Sequence, residues 1–92
     1  MKQIVFSNHA LEQLSDRGAT QEEVRITIQQ GEQVPARKDR VAFRKNFSFN
    51  STWKEKHYET KQVMPIVKEE PDKYTVITVY VFYFGGYLIK VK

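Results

Sequence analysis

The chain has 92 residues, too few for more than one core, and a domain of this size hides only about 60–65% of its unfolded surface. It contains no cysteine, which excludes a disulfide framework, a thiolate nucleophile and a thiolate metal site. The net charge is +4 and unevenly spread: residues 37–56 carry seven Lys/Arg against two Asp/Glu, while residues 1–36 carry three against five.

That asymmetry points to an anionic partner, RNA or an acidic protein, with a solvated basic loop as the plain alternative. No apolar run reaches the ~18–20 residues of a membrane span, and Met1-Lys2-Gln3-Ile4 leads straight into structure, so a cytoplasmic protein without a membrane partner is expected. The two histidines, His9 and His57, have no metal-ligand spacing, and glycine-rich phosphate loops are absent, so no metal or cofactor is expected.

In chain order, Gln3 to Phe6 is a short β-branched and aromatic run that reads as a strand. Ser7 is a good helix N-cap and Gly18 a left-handed stop, which predicts a helix over Asn8 to Arg17. Thr20 and Glu23 form a capping box, with Ala19 and Val24 spaced to close over it, and open a second helix that Gly31 ends near Gln30. On the first helix Ala10, Leu11 and Leu14 make an apolar face, and His9, Gln13 and Arg17 form one row along its border. His9 lies where the helix dipole favours a neutral ring able to accept a proton. The plainer role for it is half-buried packing, and for Arg17 a dipole or ion-pair partner.

The segment from Glu32 to Arg40 lacks a period and contains Pro35, so it reads as a connection. Val41 to Phe49 alternates, with Val41, Phe43, Phe47 and Phe49 on one side and Ala42, Arg44, Asn46 and Ser48 on the other. Asn50-Ser51-Thr52 reads as a polar turn. Trp53 to Tyr58 interleaves aromatic and basic groups, suited either to stacking bases or to capping the core from a strand end. Gln62 to Lys68 and Lys73 to Phe84 read as an antiparallel pair around Glu69-Glu70-Pro71-Asp72, the second being apolar on both faces and hence central. If Ile77, Val79 and Val81 face the helices, Thr78, Tyr80 and Phe82 share the open face with Arg44. Gly85-Gly86 signals a hairpin, with Tyr87 to Val91 as a last edge strand open to a second copy.

The run Phe6-Ser7-Asn8-His9-Ala10, followed by Arg17-Gly18 and a capped second helix, resembles the signature of the domain-of-unknown-function 4258 family over residues 4 to about 81. That family is distantly similar to the RelE/ParE-like toxins. The resemblance implies an α+β fold: an N-terminal helical hairpin packed on one face of a twisted, mainly antiparallel four- to five-stranded sheet. The family often carries an arginine between the histidine and the final arginine; here that position is Gln13.

Two functions follow as expectations. The first is a RelE-like, metal-independent ribonuclease acting on RNA or on the ribosome and held by an acidic antitoxin protein. Such cleavage needs a base, a cation for the phosphate and an acid; His9 or His57 would supply base or acid, Arg44 or Arg17 the cation, and Tyr80 a stacking ring or weak acid. The second is a non-catalytic binding or assembly module that uses its sheet face or edge strand to pair with a protein partner or with itself as a homodimer.

Overall fold

The computed structural model describes residues 2–85. They form a mixed α+β domain in the order β1 (Gln3–Phe6), α1 (Asn8–Arg17), α2 (Gln21–Gln30), β2 (Glu32–Pro35), β3 (Arg40–Trp53), β4 (Lys56–Glu69) and β5 (Lys73–Phe84). The strands make one five-stranded sheet in the order β1-β5-β4-β3-β2, with β1 parallel to β5 and the other neighbours antiparallel. No helix among the described residues is long and apolar enough to cross a membrane.

Local chemistry sets the helix ends. Ser7 Oγ accepts from the Ala10 N–H at 3.0 Å and donates to the Ile77 carbonyl at 3.2 Å, so the cap of α1 is also fastened to β5. Gly18, at φ 82°, closes α1 with its N–H on the Leu14 carbonyl. Both halves of the Thr20–Glu23 capping box are formed at 3.0 Å. α1 packs along β5, and α2 against β4 and β3. Ala10, Leu14, Val24 and Ile28 from the helices meet Phe43, Val63, Val67, Val76 and Val79 from the sheet in one core. Each fully buried valine in that set contributes about 1.5–3 kcal/mol of apolar transfer.

Several sequence expectations shift in the structure. Glu32 to Pro35 is a strand, not a connection, paired Glu32 to Arg44 through Pro35 to Val41. β3 runs on through Asn50-Ser51-Thr52. The expected turn there is a bulge, with the register slipping between Ser48 and Ser51 and Asn50 at φ 43°. The reversal falls instead at Lys54 and Glu55, both left-handed at φ 49° and 72°. β4 begins at Lys56, six residues before the apolar pattern does, and is the middle of the five strands, while β5 is interior as expected, flanked by β1 and β4. A second slip, between Ile66 and Val67, leaves Ile77 as the extra residue of β5. Val76 and Val79 are therefore both fully buried three residues apart, while Ile77 is only half-buried. The expected edge strand over Tyr87 to Val91 lies outside the described residues.

Candidate functional site: the outer face of the sheet

The face of the sheet turned away from the core is built by the cross-strand register. Val34 pairs with Ala42, Ala42 with Ile66 and Ile66 with Thr78, forming one row. The next row runs Glu32, Arg44, Met64, Tyr80, and the next Asn46, Gln62, Phe82. Arg44 and Tyr80 thus share a row two strands apart, about 10 Å at normal strand spacing. The outer-face residues of β5 leave large rings in solvent: Tyr80, Phe82 and Phe84 are 41%, 41% and 48% exposed. The Tyr80 and Phe82 rings lie 6.3 Å apart and nearly parallel.

A groove of about 350 Å³ opens at the β2 end of this face, between the β2–β3 connection and the strands. Its floor includes Ala42, Met64 and Ile66, its far wall Thr78 and Tyr80, and its rim Arg37 and Arg40. The Arg40 N–H bonds the Arg37 carbonyl at 3.0 Å, and Lys38 between them is left-handed at φ 51°, so one tight turn carries both arginines.

The edge of β5 is handled by α1. Gln13, only 8% exposed, accepts from the Val79 N–H at 2.7 Å and from the Thr78 hydroxyl at 2.5 Å. Arg17 Nη1 donates to the Val79 carbonyl at 2.9 Å, and its guanidinium sits 5.4 Å from the centre of the Tyr80 ring. A smaller groove of about 220 Å³ lies beside this edge, lined by Asp16, Arg17, Trp53, Lys54, Tyr80 and Tyr83 among others.

Beyond it, the β3–β4 hairpin folds onto the α1–α2 junction. Tyr83 is the hub, with Phe49, Trp53 and Tyr58 centred 5.3, 5.2 and 5.4 Å from it, and its hydroxyl donates to the Arg17 carbonyl at 2.7 Å. Burial, with the Glu23 carboxylate adding to it, pushes the Tyr83 phenol above its ordinary value of 10.0. Lys61, 6% exposed, reaches the Gly18 carbonyl at 2.9 Å and both Glu23 carboxylate oxygens at 3.0 Å.

The five residues singled out from the sequence are distributed, not gathered. Tyr80 and Arg44 share the outer face, and Arg17 reaches its margin from the edge of β5. Arg44 is held by Glu32 at 3.0 Å, both side chains being well exposed. His9 is exposed on the first turn of α1, one helical turn before Gln13 on the row that runs along the edge of β5. His57 is exposed in the β3–β4 hairpin, opposite Thr52. Trp53 and Tyr58 pack on Tyr83, the core-capping alternative of their two readings.

Three features escaped the sequence reading: the grip of Gln13 on β5, the Lys61 tie, and the turn that pairs Arg37 with Arg40. A signal for Lys61 was present, since it occupies the inward phase of Lys61, Val63, Pro65 and Val67, all of them buried. Among the described residues no three His, Asp or Glu side chains gather as a metal site.

Fold and site together define a small α+β domain with a walled, basic and aromatic sheet face. A family model described as Domain of unknown function (DUF4258) matches residues 6–81, and the chain belongs to that family. No curated protein and no solved structure matches the chain.

Proposed function

We propose that this chain is an RNA-binding module of RelE-like arrangement, its helical hairpin covering one side of the sheet and its outer face taking single-stranded RNA without cleaving it. The observation that carries this reading is the exposed Tyr80, Phe82 and Phe84 stripe running along one strand beside Arg37 and Arg40. Bases stack on rings repeated every second residue of a strand, and arginines meet the backbone phosphates.

The scattered histidines weigh against the ribonuclease alternative. Cleavage needs base, cation and acid around one phosphate, whereas His9 is on the first turn of α1, His57 on the β3–β4 hairpin and Arg44 within β3. A cytoplasmic location follows from an RNA partner, and the ribosome is one place where such a strand is presented.

The test is fluorescence anisotropy of a labelled, unstructured RNA oligonucleotide, with gel analysis of the same RNA after long incubation in EDTA. Binding that weakens 10- to 100-fold in Tyr80→Ala and in Phe82→Ala, with the RNA intact, supports the reading. EDTA-resistant cleavage lost in His57→Ala or Arg44→Ala replaces it with the ribonuclease. A dimer seen by sedimentation without RNA, and dissolved by Phe82→Ala, replaces it with self-assembly through the same face.

A further inference from the structure

We propose that the groove under the Arg37–Arg40 turn is a subsite for one nucleotide, with its base on the apolar floor and its phosphate on the two arginines. The inference rests on the RNA-binding reading and adds to it a defined position and a defined unit of ligand. At about 350 Å³ the groove falls within the usual range for small-ligand pockets, roughly 300–1,000 Å³. Its composition fits a flat, weakly polar base: Met64 and Ile66 beneath, and the Tyr80 ring at the side. Tyr80 is also the first ring of the exposed stripe, so a base seated here is continuous with bases stacked on Phe82 and Phe84.

The rim supplies the anion specificity. No Asp or Glu is among the residues lining the groove. Arg37 and Arg40 engage no carboxylate or other side chain among the described residues, in contrast to Arg44, which Glu32 holds, and Arg17, which β5 holds. One turn carries both of these unengaged guanidinium groups to the rim of the groove, where a single phosphate is assigned to the pair, a ligand that arginine grips bidentately where lysine acts as a point charge. An uncharged peptide would leave this charge unanswered, and an inorganic anion would leave the floor bare.

The experiment is an NMR titration of the intact protein, with the Met64 methyl and the Arg40 amide as reporters in the groove and the Phe82 and Phe84 amides as reporters on the stripe. The probes are AMP and CMP, the matching nucleosides, inorganic phosphate and a short RNA oligonucleotide. The expected result is that a monophosphate moves the groove reporters, at least tenfold more tightly than nucleoside or phosphate alone. The Arg37→Ala/Arg40→Ala protein should lose this response while keeping its dispersed spectrum. If the oligonucleotide moves the stripe reporters while monophosphates leave the groove unmoved, the subsite is overturned and the RNA face stands. If phosphate binds as tightly as the nucleotide, the site is an anion patch and the base position is overturned. If neither nucleotide nor oligonucleotide moves any reporter, both readings fall.

Discussion

The side-chain oxygen of Gln13 stands 2.7 Å from the backbone nitrogen of Val79 and serves the strand as a missing neighbour would. β1 pairs with β5 only as far as Val76, and past that point α1 takes over, with Gln13 accepting from Val79 and Arg17 donating to it. A side-chain amide presents an acceptor here that arginine lacks. Replacing Gln13 by Ala leaves a buried N–H without its partner, at a cost of about 1–3 kcal/mol. Urea unfolding of Gln13→Ala should show that loss in the midpoint with an unchanged slope.

Lys61 ties three elements at once: β4 through its own backbone, the α1 cap through Gly18 and the α2 cap through Glu23. Lys61→Met removes the cation and leaves the Glu23 carboxylate and the Gly18 carbonyl facing apolar atoms. The expected destabilisation is about 3 kcal/mol, the lower end for breaking a buried pair because Glu23 keeps some access to water. Adding Glu23→Gln to Lys61→Met should recover part of that loss, which a double-mutant cycle measures.

Tyr83 makes stability sensitive to alkaline pH. Its phenol is raised in the folded protein by burial and then by Glu23, so the folded state holds the proton more tightly than the unfolded chain does. The associated stability is complete below about pH 10, the unfolded value, and declines as pH climbs from there through the folded value. Tyr83→Phe should flatten the alkaline limb of a stability–pH curve. It should also cost about 0.5–1.5 kcal/mol at neutral pH through the lost bond to the Arg17 carbonyl.

Glu32 restrains one cation of the outer face. Glu32→Gln removes a negative charge and releases Arg44, so RNA affinity at low salt should rise. The log–log salt dependence should steepen by about 0.7, the increment for one further phosphate contact on a single strand. Folding stability should hardly move, because an exposed pair contributes about 0–1 kcal/mol. A rise in affinity with an unchanged salt slope would show that Arg44 takes no phosphate.

The helices were legible because their signals are local. Ser7, Gly18, Thr20 and Glu23 each satisfy a backbone group within four residues, and both helices begin and end where those residues say. The strands were legible in their apolar stretches and obscure elsewhere. β2 and the first half of β4 are polar segments that become strands only because β3 offers them a ladder, a partnership no local pattern carries. The two bulges hid the phase: Ile77 shifts β5, and Asn50 lets the hairpin curl, so simple alternation misjudged where each face ends. The shared face of Arg44 and Tyr80 was anticipated from parity. The Arg37–Arg40 rim was not, because its position depends on how the β2–β3 connection doubles back over the sheet.

Trp53 is the only tryptophan in the chain, and it lies stacked on Tyr83, with ring atoms crowding Gly18 at the junction of the helices. The protein therefore carries its own optical gauge of one event, the seating of the long hairpin on that junction. Its emission should shift to the red when the hairpin lifts, before the sheet itself melts, and a substitution at Gly18 should produce that shift in the folded state. Because Trp53 and Tyr80 line one groove, a base stacked on Tyr80 should dim the same emission without the red shift that marks a lifted hairpin.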